Sequence, residues 1–398
     1  MSHPSLDLAG QCICLLMQGV ECAAKVASDS GLRRRKGASS RRSDTDVESF
    51  LRSVNTFPIS TWQHLGEMPS LPHVRIDFIG EASDSASFVR GFAIPPATRA
   101  ILKRSGMPSG MKALQRQAGN LRQLAAENTT RHCGFRVPDI LALGEVARTT
   151  WSLESYIAGH DGRLTVKEAD SRTAVLVAAS DAISSLQALG SSLRPADAAW
   201  AVEWVEKSCA VVGGVVRTIT SGATRARAID ILNSYLVRHF EGRPVSSGWY
   251  HGDYCPGNLI VDNAWMEGDR NSGRSAIAGI IDWDRSGHDA PPNFDICQLA
   301  ITLRRSLTGR QLGNVVADLV AEGRWSDEEL TWFSQVEALK GSGGEWTRDP
   351  DAMRAMVLLV WLRLVRSNIE KSPPFARNRL WAAANVEWVL RAVSRRYG

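Results

Sequence analysis

Side chains able to do chemistry are concentrated in one short polar segment, residues 251–258, which reads HGDYCPGN. His251 precedes Asp253 by two positions, and Asp253 precedes Asn258 by five. This spacing is typical of the phosphoryl-transfer template, in which the aspartate accepts the proton of a substrate hydroxyl and the asparagine holds magnesium. Asp282 follows two isoleucines at the end of a predicted strand and is the candidate for the second magnesium-binding side chain.

These residue types fit the chemistry. A phosphoryl group in transit spreads negative charge over its oxygens, and Mg²⁺, which prefers carboxylate and amide ligands, neutralises that charge. A hydroxyl nucleophile needs a proton acceptor, and we assign this role to Asp253, with His251 grouped beside it as catalytic. The alternative is a loop stabilised by Asx hydrogen bonds, with Asp282 as a turn former at a strand end. Placement between apolar strands favours phosphoryl transfer.

The elements that must position this segment change in character along the chain. From residue 74 to residue 104, alternating apolar residues predict a small antiparallel meander with strands at 74–79, 88–92 and 99–103. A helix over 114–125 follows, and then further strands at 141–145 and 151–157. Beyond residue 164, apolar residues recur at helical spacing, and one strand-rich island over 248–284 interrupts them. The pattern therefore predicts a flexible basic tail over 1–45, an N-lobe over 46–157 and a helical C-lobe over 158–398.

Composition limits the function classes. The chain has 398 residues, 44% hydrophobic and 22% charged, which is typical of a globular protein. Its formal net charge is only +5, and a cluster of basic residues within 33–42 accounts for it, so a nucleic-acid partner is disfavoured. No apolar stretch reaches the roughly 18 residues needed to span a bilayer, so no membrane association is expected. Seven cysteines without a C-x-x-C pair indicate a reducing, cytoplasmic setting. The residues indicate no oligomeric state.

The motifs HGD…PGNLI over 251–260 and IIDWD over 280–284 closely resemble the aminoglycoside/choline phosphotransferase family. That resemblance implies an α+β, bilobal protein-kinase-like fold with a small antiparallel-sheet N-lobe and a larger, mainly helical C-lobe. It also implies ATP or GTP and Mg²⁺ as cofactors. Asp295 matches the family's later aspartate, which braces the catalytic loop.

The same resemblance extends less strongly to the N-lobe. Lys103, at the end of a predicted strand, is similar to the lysine that pairs with the nucleotide α- and β-phosphates. The serine-rich segment 80–87 falls where the phosphate-covering loop should lie, which suggests Ser85 and Ser87 as cofactor-binding residues, although an ordinary hairpin loop explains it equally. Glu154 and Tyr156 match the linker whose backbone meets the adenine edge.

Two departures from the family pattern stand out. The helix glutamate expected to pair with Lys103 is replaced by Gln117, so the pairing is weakened, Glu81 or Glu127 serves instead, or the alignment has slipped. The usual histidine of the family's L-H-x-L helix is absent from the segment LQAL at 186–189. The first departure leaves a poorly active, nucleotide-binding relative conceivable.

The sequence thus predicts a Mg-ATP-dependent phosphotransferase acting on a hydroxyl of a small molecule such as an aminoglycoside, an amino sugar, a nucleoside or a choline-like alcohol. The alternative is a pseudokinase-like module that binds nucleotide without transferring phosphate. Cys255 lies in the loop with no assured base beside it and is interpreted as a loop filler. A cationic acceptor would need acidic walls, for which the candidates are Asp284, Asp289, Glu203 and Glu206.

Overall fold

The structure is a computed structural model. It describes residues 62–67, 75–81, 87–89, 92–94, 99–127, 133–146, 148–189, 191–219, 223–268, 275–340, 342–371 and 377–398. The predicted basic tail over 1–45 and Ser85 lie outside these residues. The chain divides into two compact units. One comprises Met1–Gln123 and Pro138–Tyr156, and the other comprises Leu124–Val137 and Ile157–Gly398.

The first unit contains a five-stranded antiparallel sheet in the order β1-β2-β5-β7-β6. Two further strands, β3 and β4, form a separate hairpin. The seven strands are β1 Trp62–Glu67, β2 Arg75–Glu81, β3 Ser87–Val89, β4 Phe92–Ile94, β5 Arg99–Ser105, β6 Ile140–Val146 and β7 Thr149–Ser155. The single strand predicted over 88–92 is therefore wrong, because two short strands occupy this region. Gly91 within the run favours a turn over a continued strand.

Helix α1 (Pro108–Ala126) follows β5. It begins with proline, whose fixed φ suits the first helical position. The predicted apolar face is confirmed, because Leu114, Ala118 and Leu121 are each at most 2% exposed. Gln117 lies on this buried face, at 4% exposure, so its amide has to find partners inside the protein.

The second unit is mainly helical. Its helices are α2 Gly162–Thr165, α3 Ala169–Ala188, α4 Ala198–Ala201, α5 Lys207–Ile219, α6 Ala223–Phe240, α7 Asn263–Met266, α8 Phe294–Thr308, α9 Leu312–Glu322, α10 Asp327–Gln335, α11 Pro350–Lys371, α12 Arg379–Ala382 and α13 Trp388–Tyr397. Single π turns join α4 to α5 and α12 to α13. Helix α11 is the core of this unit, since residues 357–362 are fully buried. Burial of each such side chain stabilises the folded state by about 1.5–3 kcal/mol relative to leaving it exposed to water.

Two small sheets hold the polar island inside the helical unit. Strands β8 (His160–Asp161), β11 (Leu259–Val261) and β12 (Ile277–Ile280) form one, in the order β12-β11-β8. Strands β9 (Leu193–Pro195) and β10 (Pro244–Ser246) form the other. The polar segment 251–258 runs between β10 and β11, so a strand lies on either side of it as the sequence predicts. Among the described helices, none combines the length and apolar character needed to cross a membrane.

Candidate active site

Asp295, in the first turn of α8, holds the backbone of the polar loop. Its Oδ2 accepts a hydrogen bond from the His251 backbone N–H at 2.7 Å, and its Oδ1 accepts one from the Gly252 N–H at 2.9 Å. The Gln298 side-chain amide, one turn further along α8, donates to the Gly252 carbonyl at 3.2 Å. Three successive peptide groups of the loop are thus fixed by side chains of one helix, two of them by Asp295, as expected for a bracing aspartate.

The Asp295 carboxyl is completely buried. Burial raises its pKa, while the electrostatic interaction with the His251 ring and the donated hydrogen bonds oppose that rise. Another of those donors is Gln187 of α3, whose amide nitrogen lies 3.2 Å from Oδ2. Gln187 falls within the LQAL segment that lacks the family's histidine, so a neutral amide reaches the bracing carboxylate from this position.

His251 has a defined tautomer. Its Nε2 lies 2.8 Å from the Ile281 carbonyl oxygen, which can only accept, so Nε2 carries the proton. Its Nδ1 accepts a hydrogen bond from the Asp253 backbone N–H at 3.2 Å. The fully buried ring also packs edge-on against Trp283, with centroids 4.6 Å apart. His251 therefore ties the loop to the segment that carries Asp282.

Gly252 is required by the turn that follows His251. Its φ of +75° is in the left-handed region, and a Cβ here would lie 2.4 Å from the Arg285 carbonyl oxygen. Any other residue would have to displace that backbone. The sharp turn directs the chain into Asp253.

Asp253 is partly exposed, with 27% of its side chain accessible. Its Oδ1 lies 3.4 Å from Nη1 of Arg285, and Arg285 in turn donates from Nη2 to Oδ1 of Asn368 at 3.2 Å. The carboxylate is therefore oriented by a guanidinium yet stays accessible to a ligand. Sequence reasoning missed Arg285. Arg285 directly follows the IIDWD motif and lies three residues after Asp282, and this proximity was the one feature of the sequence that pointed to it.

Asn258 ends the 3-10 turn Pro256–Asn258. Its side-chain nitrogen donates to the Asp253 backbone carbonyl at 2.8 Å, which leaves the amide oxygen as the atom a cation would take. Its own carbonyl accepts from the Ile281 N–H at 3.0 Å. Because Asp282 follows Ile281 directly, the structure brings Asn258 and Asp282 to the same end of β11 and β12.

Asp282 has φ +64° and ψ +60°, a left-handed conformation that aspartate tolerates better than most residues. Such backbone strain is frequent at functional sites. One amide oxygen and one carboxylate fit Mg²⁺, which usually takes one or two protein carboxylates and completes its shell with water and phosphate oxygens. Within the described residues there is no group of three or more His, Cys, Asp or Glu arranged as an all-protein metal cage.

The surroundings of Cys255 make its thiol unreactive. Burial of its thiol, and after it repulsion from the Asp253 carboxylate, raises its pKa to about 12. Asp282 adds a smaller repulsion, which places both carboxylates around the same thiol. The interpretation of Cys255 as a loop filler therefore fits its surroundings.

We predict that iodoacetamide modifies Cys255 at least about 100-fold more slowly than a free cysteine at pH 8, because the reactive thiolate is suppressed. Peptide-resolved mass spectrometry of the native protein measures this rate. The denatured protein is the control, in which Cys255 should react at the ordinary rate. Fast labelling in the native state would mean that the thiol is activated and that its role needs revision.

In the first unit, Lys103 lies on β5 and is only 6% exposed. Its Nζ lies 3.2 Å from Oε2 of Glu154, which is 2% exposed on β7. The Gln117 amide nitrogen donates to both oxygens of Glu154, at 2.9 and 2.8 Å. Lys103 therefore has a carboxylate partner even though α1 offers a glutamine.

Sequence reasoning named other partners for Lys103. Glu127 instead accepts a hydrogen bond from Trp249 Nε1 at 2.7 Å, and the side chain of Glu81 lies outside the described residues. Glu154 was singled out for its backbone alone. Tyr156 follows β7 directly, and Ser87 is the first residue of β3. Their contacts with a nucleotide stay predictions.

Two of the proposed acidic walls are already paired. Asp289 lies 3.1 Å from Arg194, and Glu203 lies 2.7 Å from Lys207. Glu203 also lies 3.7 Å from Arg366. Asp284 is 7% exposed and Glu206 is exposed. Paired carboxylates offer less to a cationic acceptor than free ones would, since their charge is largely neutralised.

Taken separately, the two units have the parts of a kinase-like phosphotransferase: an antiparallel sheet with a buried lysine–glutamate pair, and a helical unit with a braced Asp–Asn–Asp loop. The profile of the phosphotransferase enzyme family (APH) matches residues 80–332, more than half of the chain. The chain belongs to this family. No curated protein matches it at a significant level.

Two solved structures with TM-scores of at least 0.50 show the same fold. A point mutant of aminoglycoside 2'-phosphotransferase-IIIa in complex with GDP has a TM-score of 0.51 at 14% identity, covering 90% of this chain and 99% of the other. The wild-type GDP complex has a TM-score of 0.50 at 12% identity, with the same coverage. Aminoglycoside phosphotransferase APH(3'')-Id from Streptomyces rimosus has a TM-score of 0.45 at 16% identity, covering 79% and 97% of the two chains. The predicted kinase-like α+β fold is confirmed.

Proposed function

We propose that the protein transfers the γ-phosphoryl group of ATP or GTP, with Mg²⁺, to a hydroxyl of a small molecule. The observation that carries this proposal is the loop in which Asp295 fixes the backbone, Asp253 is left accessible, and Asn258 and Asp282 share one strand end. This is the placement that phosphoryl transfer needs, since positioning and charge neutralisation supply most of its catalysis.

Each residue has a separate task in this proposal. Asp253 accepts the proton of the acceptor hydroxyl at a carboxylate oxygen, while the Arg285 guanidinium holds that carboxylate in place. Asn258 and Asp282 would hold Mg²⁺ through the amide oxygen and the carboxylate. When bound, the ion supplies neutralisation of the phosphate charge. Lys103 contacts the phosphates, and His251 positions the loop without touching the substrate.

Contacts of the nucleotide with the remaining predicted residues belong to the same proposal. The backbone of Glu154 and Tyr156 would meet the nucleobase, and backbone N–H groups near Ser85 and Ser87 would approach the phosphates. Two neighbouring structures are GDP complexes, which supports nucleotide binding and keeps GTP beside ATP as a donor. The acceptor we propose is a hydroxyl-bearing amino sugar, aminoglycoside, nucleoside or choline-like alcohol.

The alternative is a pseudokinase-like module that binds nucleotide without chemistry. Its main motivation was the missing helix glutamate. The buried contact between Lys103 and Glu154 supports the active enzyme instead, because the lysine has an anionic partner that fixes its ammonium group.

The decisive experiment incubates the full-length protein with Mg-ATP or Mg-GTP and a panel of acceptors, namely streptomycin, gentamicin, amino sugars, nucleosides, choline and a metabolite extract. We expect at least one acceptor to gain the mass of one phosphoryl group, in a reaction that EDTA stops. Bound nucleotide without any phosphorylated product across the panel and the extract would favour the pseudokinase alternative. A chain that binds no nucleotide would contradict both.

A further inference from the structure

We propose that Glu154 is the positioning residue for Lys103, and that Gln117 is present because the carboxylate has moved from the helix to the sheet. This inference rests on the proposed function for the role of Lys103. The glutamine on α1 and the buried glutamate on β7 are then two parts of one change.

Strand register places the pair. Lys103 on β5 lies directly opposite Ser152 on β7, and Glu154 is two residues further along β7. Side chains two apart on a strand share a face, so Glu154 is the diagonal neighbour of Lys103. Two long side chains bridge that diagonal, which gives the 3.2 Å contact between Nζ and Oε2. The ion pair is therefore formed by adjacent strands of one sheet.

The Glu154 carboxylate also accepts hydrogen bonds from two neutral side chains besides its contact with Lys103. Gln117 donates one amide nitrogen to both carboxylate oxygens, and the Ser152 hydroxyl donates to Oε1 at 3.1 Å. A buried carboxylate needs such donors, because an ionised group without them is costly away from water. A glutamate at position 117 would bring a second carboxylate against the first, and like charges in a buried site repel. Glutamine is the near-isosteric residue that donates instead.

Because the partner carboxylate is on β7, the orientation of the Lys103 ammonium group is controlled by the sheet. In the protein-kinase arrangement the partner glutamate is on a helix, so helix position decides whether the pair forms. In this chain the pair is set by the register between β5 and β7, and α1 contributes only a neutral amide. The lysine is held in its phosphate-binding orientation by the sheet itself.

The test compares the native chain with Glu154→Gln, Gln117→Glu and the double swap Gln117→Glu/Glu154→Gln. The matched control is Gln115→Glu, the same chemical change at an exposed position on the same helix, where the new carboxylate would face Glu145 in contact with solvent. Affinity for Mg-ATP and Mg-GTP, kcat and KM for nucleotide, and the thermal midpoint are measured for each. We expect each single change at the buried site to lower nucleotide affinity or kcat/KM about 10- to 100-fold, and the swap to recover at least half of that loss on a logarithmic scale.

A second readout separates positioning from packing. In a Lys103→Met background, Glu154→Gln should change nucleotide affinity little, because the group that Glu154 positions is gone. Equal effects of Glu154→Gln with and without Lys103 would overturn the proposal and assign Glu154 a purely structural role. Failure of the swap to recover affinity, with a native thermal midpoint, would also overturn it.

Nucleotide affinity keeps this test distinct from that of the proposed function. If the protein binds nucleotide but phosphorylates no acceptor, the cycle with Lys103 still gives a positive or negative result. If the native chain binds no nucleotide, Lys103 has no phosphate to contact, and the positioning role is refuted together with the function.

Discussion

Asp253→Asn should slow phosphoryl transfer by about 10²- to 10⁴-fold while nucleotide affinity stays close to native. Asparagine has nearly the same shape, so the loop keeps its backbone contacts: the residue 253 N–H to His251 Nδ1 and the residue 253 carbonyl to Asn258. What the variant loses is a carboxylate that can take the proton of the attacking hydroxyl. The expected change is therefore in kcat, with little change in KM for nucleotide.

Single-turnover measurements with the acceptor found in the panel check this result. The matched control is Asp318→Asn, which makes the same change at an exposed ion pair with Arg310. Exposed ion pairs contribute about 0–1 kcal/mol to the free energy of unfolding, so this control should behave like the native chain. A native rate from Asp253→Asn would show that another group accepts the proton, and the assignment of the base would be wrong.

The second large effect concerns the metal. Asp282→Asn should weaken Mg²⁺-dependent nucleotide binding by on the order of 10- to 100-fold or more, since even residues that only support a metal ligand contribute that much. Asparagine is the suitable replacement because it adopts the left-handed conformation of residue 282 at least as readily as aspartate. The backbone should therefore be retained while one negative charge is removed from the metal site.

Nucleotide titrations over a range of Mg²⁺ concentrations, with an EDTA arm, measure this effect. We expect the native chain to lose affinity in EDTA and the variant to respond weakly to added Mg²⁺. Asp282→Ala provides a contrast, because alanine adds about 1–2 kcal/mol of backbone strain at this φ and should lower the thermal midpoint as well. An Asp282→Asn variant with native Mg²⁺ dependence would contradict the metal assignment.

The helical unit and its loop were predictable because their signals are local. Apolar spacing predicted the helices beyond residue 164, and the spacing of His251, Asp253 and Asn258 identified the loop without any knowledge of tertiary contacts. The resemblance also indicated that Asp295 braces this loop, and the two hydrogen bonds from its backbone match that role. Short-range patterns carry this information since each depends on residues a few positions apart.

The Lys103 partner could not be found in the same way. Lys103 and Glu154 are 51 positions apart in sequence, and only the register of β5 against β7 makes them neighbours. Register depends on which face of each strand is buried and on turn geometry, neither of which a motif contains. The contact of Arg285 with Asp253 has the same origin, because it requires two loops to meet.

The contact of Asp295 with the loop backbone has a consequence for how the protein can diversify. Its carboxylate binds peptide groups at His251 and Gly252, so these hydrogen bonds do not depend on the side chains of the loop. In the proposed enzyme, side chains that recognise the acceptor can therefore change while Asp253 keeps its place. Evolution of acceptor preference would therefore not require any change in the contacts that hold the catalytic loop.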